Sequence, residues 1–284
     1  MSKPRGNHTV PKTYLKYFTD FNFKIGVYDK YTNKNFITST QNVSKKRDFY
    51  HDTLLENIIY WEIFYNRTVE NLISPTFDKL DMLSKTTDNF NKVLDSDLRV
   101  KLSYIINAQL ARSYKSWDTW LKIASDICNQ NLPSHIISTQ ANLIKLGKTK
   151  AEANNIINKS YLLKTLNSNE FVLSNMETLL KMTWIVFRIS DTSKTFCTSD
   201  NPVAFYHIDS KSSNLIDYGP LYNGCIIKFP INFKLCLILI PSDHLDTKEF
   251  IDYKDCIINA SSDLIDLCNQ AQNEQCYRQV YYRP

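Results

Sequence analysis

Thr195-Phe196-Cys197-Thr198-Ser199-Asp200-Asn201-Pro202-Val203-Ala204-Phe205-Tyr206 is the stretch at which the chain changes character. Two β-prone runs, residues 195–198 and 203–206, flank a Ser-Asp-Asn-Pro connection whose residues favour tight turns. Beyond it lie further runs of the same kind: Cys225 to Phe229 and Lys234 to Ile240, with Gly219-Pro220 and Asn223-Gly224 as turn signals. A final helix over about 262–273 and a terminal strand over 277–282 follow. Before the stretch, from about residue 52 to 190, apolar residues recur at three- and four-residue spacing. Breaks at Ser74-Pro75, Thr86-Thr87-Asp88 and Asn131-Leu132-Pro133 divide that region into five or six helices.

Working back to the N-terminus, residues 11–18 read as a short helix, with Pro11 in the first turn where its missing N–H costs nothing. Lys24 to Tyr28 and Asn35 to Ser39 read as a hairpin. The Lys45-Lys46-Arg47-Asp48 cluster reads either as a solvated loop or as a phosphate contact. The expected architecture is one α+β unit spanning 1–284. It has an N-terminal segment and hairpin (1–50), a helical region (51–190) and a mixed or antiparallel sheet region (191–284). N-terminal and C-terminal strands share a sheet.

Composition narrows the function classes. The chain has 284 residues, 43% hydrophobic and 22% charged, with only five glycines, which excludes a fibrous or low-complexity protein. Its net charge of +5 is compatible with a nucleic-acid or nucleotide partner. The seven cysteines are odd in number and lack CxxC spacing, so they read as reduced, mostly buried thiols rather than as a zinc or redox site. No signal-peptide core and no run of about 18 apolar residues is present, so the expectation is a cytoplasmic protein with no membrane partner. Walker, GxGxxG, HExxH and GxSxG motifs are missing, which disfavours P-loop, zinc-protease and α/β-hydrolase chemistry.

What remains is a scattered polar set. On the helix carrying Leu98, Leu102, Ile105 and Ile106, Gln109 falls inside the apolar stripe and Arg112 on its margin. An unanswered amide there costs about 1–3 kcal/mol, so Gln109 either ties the helix to a strand end or faces a ligand. Arg112 either pairs a carboxylate or grips a phosphate with its planar fork. Asp200 and Asn201 form an Asx-type turn or a strand-end site. His8, beside Val10-Pro11 and an amphipathic helix, is a candidate general acid or base. Glu56, Glu62 and Glu70 do not share a helix face at ideal spacing and read as a solvated edge. Tyr277, Tyr281 and Tyr282 beside Arg278 and Arg283 read as core or as a base-stacking platform.

The ordered set HTVPKTYLKYF (8–18), VYDK (27–30), Gln109-x-x-Arg112, FCTSDNPV (196–203) and NQAQNEQCYRQVY (269–281) resembles the prokaryotic domain of unknown function 4238 family. The chain departs from that pattern at Cys276, where a small alanine-like residue is usual, and at Ser113-Tyr114, where a proline soon follows the arginine. The resemblance implies a bacterial, intracellular protein of defence or mobile-element settings, and no established activity. It points to His8, Gln109, Arg112, Ser199, Asp200, Asn201, Asn269 and Arg278.

Two expectations follow. In one, the protein is a nuclease or other phosphoryl-transfer enzyme on RNA or DNA. His8 moves the proton, Arg112 holds phosphate, and Asp200 orients His8 or binds a divalent metal. Gln109, Ser199, Asn201, Asn269 and Arg278 fix the substrate, and a metal-independent RNA cleavage is equally admissible. In the other, the same residues form a satisfied network inside a non-catalytic module that binds a nucleotide, a phage component or a partner protein.

Overall fold

The computed structural model of the chain describes residues 6–113, 115, 117, 119–121, 134–190, 193–209 and 224–284. The fold is α+β. Strand β1 (Gly6–His8) leads into α1 (Lys12–Leu15) and a 3-10 turn (Lys16–Phe18), followed by the hairpin β2 (Lys24–Asp29) and β3 (Lys34–Ser39) and by β4 (Lys45–Arg47). Helices α2 (Tyr60–Tyr65), α3 (Asn71–Thr86), α4 (Ser96–Arg112), α5 (Ser134–Lys145), α6 (Lys150–Leu166) and α7 (Asn169–Lys181) come next. Then follow β5 (Thr183–Arg188), β6 (Thr198–Ser199), β7 (Ala204–His207), β8 (Cys225–Asn232), β9 (Leu235–Ile240) and β10 (Ile257–Asn259), and finally α8 (Ser262–Gln275) and β11 (Gln279–Tyr282).

Three sheets organise these elements. Five strands run in the order β10-β5-β9-β8-β7, antiparallel except for the parallel β10–β5 pair. Four strands run β3-β2-β11-β6, so the chain's last strand lies between the N-terminal hairpin and the Thr198–Ser199 strand. The remaining sheet is the two-stranded ribbon β1–β4.

The five-stranded sheet is buried on both faces, and the sequence of its strands shows why. Successive side chains point to opposite faces. On β9, Leu235, Leu237 and Leu239 enter one cluster together with Trp184, Val186 and Ile106. Cys236, Ile238 and Ile240 enter another beneath α8, with Ile185, Ile265 and Cys268. A strand apolar at every position can be satisfied only when both faces are covered. The first cluster extends from Val10 and Tyr14 to Tyr281, so residues from the two ends of the chain share it. A third, aromatic-rich cluster of Phe49, Tyr50, Trp61, Tyr65 and Leu163 joins the ribbon to α2 and α6.

Several local expectations are corrected. Residues 45–47 are not a loop but a strand, registered against 6–8. Ser74-Pro75 does not break the helix; Pro75 lies inside α3. Proline withholds an N–H from the residue four positions earlier and crowds its carbonyl. The helix accommodates this directly after a π-helical turn over Asn66–Glu70. The helical region ends at Lys181 rather than near 190, because Thr183-Trp184-Ile185-Val186-Phe187 is β-branched and aromatic and pairs with β9. Of residues 195–198 only Thr198 joins a strand. The break at 131–133 and the turn at Gly219-Pro220 lie outside the described residues, as does Cys128. The six described cysteines are free thiols, and burial pushes Cys197 and Cys225 up to about 12.

Candidate functional site

The sequence-singled residues fall into two groups. One surrounds the end of β1. Helix α4 places Gln109 and Arg112 one turn apart on the same face, a three-residue spacing that brings both to the strand it packs against. Gln109 Nε2 donates to the Thr9 carbonyl at 3.2 Å, and Arg112 Nη2 donates to the His8 carbonyl at 3.0 Å. Two successive carbonyls that leave the ribbon are thereby answered. Gln109 takes the tying role, not the ligand-facing one.

Arg112 is almost fully enclosed, at 1% exposure, and is held from three sides. Nε donates to the Tyr50 hydroxyl at 2.7 Å, and that hydroxyl in turn donates to the His8 carbonyl at 3.2 Å. Nη2 also meets Glu70 Oε1 at 3.1 Å, and the guanidinium lies 4.7 Å from the Tyr65 ring centroid. Although desolvation opposes its charge, the neighbouring Tyr50 and Glu70 hold its pKa above the ordinary arginine value.

Around this clamp lies a hollow of about 260 Å³. The ribbon contributes Asn7, His8 and Lys45; α1 contributes Lys12, its first residue. The opposite wall is Glu62, Tyr65, Asn66 and Glu70. The π turn is what assembles that wall. In a regular helix eight residues leave side chains about 80° apart, but one inserted residue makes the offset that of seven, about 20°. Glu62 and Glu70 therefore border one space, contrary to their reading as a solvated edge.

Four polar atoms of the lining residues are buried without a hydrogen-bond partner among the described residues: Asn7 Nδ2, His8 Nδ1, Glu62 Oε2 and Arg112 Nη1. Such atoms each cost about 1–3 kcal/mol unless something meets them. His8 is pushed down to about 4, first by burial and then by Lys45, Lys12 and Arg112, while the Val43 backbone favours its charged form. At neutral pH the ring is uncharged, with a lone pair available at Nδ1 if Nε2 carries the proton. Charge in the hollow is then three cations against two carboxylates.

The second group sits between β6, β7 and α8, and Asp200 belongs to it. Its Oδ1 accepts the Tyr277 N–H at 2.7 Å; its Oδ2 accepts those of Arg278 and Gln279 at 2.8 and 2.9 Å. Burial pushes this carboxyl up to about 6 against the pull of those donors. Asp200 does not line the His8 hollow. With both oxygens occupied by backbone at the start of β11, it neither orients His8 nor offers a ligand to a metal. Ser199 Oγ donates to Gln272 Oε1 at 2.8 Å and accepts the Asn201 N–H at 3.1 Å. Asn201 Nδ2 donates to the Gln275 carbonyl at 3.1 Å. Asn269 bridges the Thr195 carbonyl and the Cys197 N–H, both at 2.8 Å. Arg278 Nε meets Asp29 Oδ2 at 2.7 Å, its side chain half-exposed beside Tyr31. Tyr281 is fully buried with its hydroxyl on Ser44 Oγ, and Arg283 stacks on Phe233 and Phe21, so these do not form a base-stacking platform.

Two residues of this group were not singled out by the sequence. Gln272 Nε2 donates to the Pro202 carbonyl at 2.8 Å. Gln275 accepts the Phe205 N–H at 3.1 Å and donates to the Phe205 carbonyl at 2.7 Å. Their signal was present: Asn269, Gln272 and Gln275 recur every third residue on a helix. Among the described residues no group of three or more His, Cys, Asp or Glu side chains is disposed to hold a metal ion.

The fold and its hollow define an α+β protein whose N-terminal strand is clamped by a Gln-x-x-Arg helix beside a cation-rich cavity. The chain belongs to the family of proteins of unknown function DUF4238, which matches residues 7–284. No curated protein and no solved structure matches it.

Proposed function

We propose that the protein binds the phosphate-bearing part of a nucleic acid in the His8 hollow and acts on it by phosphoryl transfer, as a nuclease on RNA or DNA. One observation carries this reading. Lys12, Lys45 and the unpartnered Arg112 Nη1 surround an uncharged histidine whose Nδ1 is itself unpartnered. Cations of this kind hold phosphoryl oxygens, and the ring takes the proton of an attacking hydroxyl or water. A histidine near 4 is a weak base in the empty hollow; an anion seated beside it offsets Lys45 and Lys12 and raises its basicity. In this proposal the setting is the bacterial cytoplasm and the role that of a defence or mobile-element effector, as the family resemblance implied. Among the described residues no helix is long and apolar enough to cross a membrane.

A second reading is a nucleotide-binding or sensing module without turnover. It is favoured by Arg112, whose Nε and Nη2 are already used by the protein's own groups. Labelled RNA and DNA incubated with purified protein, with and without a chelator, separate the two. The enzyme reading expects cleavage that His8→Ala reduces at least ~100-fold, with a melting midpoint close to that of the parent. Tight binding without cleavage supports the module, and neither binding nor cleavage removes both.

A further inference from the structure

Resting on the nucleic-acid reading above, we infer that the hollow receives the terminal nucleotide of a single strand and that the ribbon strand β4 carries the phosphates that follow it. The hollow is small: about 260 Å³ lies just under the usual range of ligand pockets, roughly 300–1,000 Å³. That leaves room for one nucleotide and none for a duplex. Its lining comes from several sides, the β1–β4 ribbon, the start of α1, the π turn and the end of α4, so a nucleotide seated there meets the protein all round its base. Three cationic residues in succession, Lys45, Lys46 and Arg47, make up β4, and all three are exposed. Lys45 is both the first residue of that row and a wall of the hollow. Alternate residues of a strand share a face about 6.8 Å apart, so Arg47 repeats the position of Lys45 one step further from the hollow. The buried, unpartnered Arg112 Nη1 and Asn7 Nδ2 supply donors at the inner end. The row thus leads from open surface to a donor-lined hollow.

The test compares an internally labelled single-stranded RNA oligonucleotide, linear, with the same sequence ligated into a circle, and repeats both with single-stranded DNA. Binding is read by fluorescence anisotropy over a series of salt concentrations. The linear form is expected to bind at least ten-fold tighter than the circle. Arg47→Ala is expected to weaken linear binding several-fold and to flatten the logarithmic salt dependence by about 0.7, the value for one phosphate contact on a single strand. Equal binding of circle and line overturns the terminal placement while leaving the nucleic-acid reading intact. An unchanged salt slope in Arg47→Ala overturns the role of β4. Binding of neither RNA nor DNA in any form overturns this inference together with the reading beneath it.

Discussion

Replacing Arg112 by methionine tests the clamp directly. The substitution removes three contacts: Tyr50 Oη at 2.7 Å, the His8 carbonyl at 3.0 Å and Glu70 Oε1 at 3.1 Å. Hydrogen bonds to a charged group contribute about 1.5–3 kcal/mol each, but the full sum is not lost. The His8 carbonyl keeps the Tyr50 hydroxyl, and Glu70 retains 20% side-chain exposure through which water reaches it. Methionine also refills the space between the Tyr50 and Tyr65 rings. The expected loss is about 3–5 kcal/mol, as for other broken buried pairs. At roughly 2–4 °C per kcal/mol for a chain of this size, Tm falls by roughly 6–20 °C. Urea titrations of wild type, Arg112→Met, Glu70→Gln and the double variant form a cycle in which the pair couples by about 1–3 kcal/mol. A loss below about 1 kcal/mol in Arg112→Met would show that Arg112 does not anchor the ribbon, and additivity across the cycle would show that Glu70 takes no part in the clamp.

Other outcomes follow from the same coordinates. His8 should titrate near 4 by NMR, against 6.5 for an ordinary imidazole; because the unfolded ring binds its proton first, the stability tied to the neutral ring is present above about 6.5 and lost as pH falls toward 4. Between pH 7 and 4.5 the parent's urea midpoint should therefore fall relative to that of His8→Asn, and a constant difference contradicts the depressed value. Gln275→Leu leaves both polar groups of Phe205 unanswered and should cost about 2–3 kcal/mol in chemical denaturation; a neutral result would mean that water replaces the amide. A Cβ at Gly26 would sit 2.3 Å from the Tyr282 ring, so Gly26→Ala should destabilise by about 1–3 kcal/mol and Tyr282→Ala in the same chain should recover most of it.

Much of the fold could be read from residue patterns. The hairpin at 24–39, the α4 stripe and the terminal helix and strand all carry the periodicity of their elements, and the pairing of the N- and C-terminal strands follows from layer logic. The site was less legible, for reasons that differ by residue. Gln109 and Arg112 announced themselves as polar groups on a buried stripe, yet periodicity cannot distinguish a group that ties backbone from one that meets a ligand. Asp200 had the composition of a strand-end site, and only the three N–H groups 77 to 79 positions further along the chain reveal its task. Glu62 and Glu70 were hidden by the assumption of uniform helical rotation, since a single inserted residue leaves no compositional mark. Lys45 and Lys46 looked like a solvated loop because three-residue strands are too short to display alternation.

The amides of α8 have a further consequence for how the molecule behaves in a crowded solution. Among the described residues strand β7 is the outermost of five, and the outward N–H and C=O of its Phe205 would ordinarily invite another polypeptide to add on. Gln275 occupies that position with one acceptor and one donor, imitating an adjacent peptide unit while belonging to a helix that cannot propagate a ladder. The sheet is thus terminated by a side chain rather than by charge or proline, and a single amide guards the protein against edge-to-edge aggregation at that point.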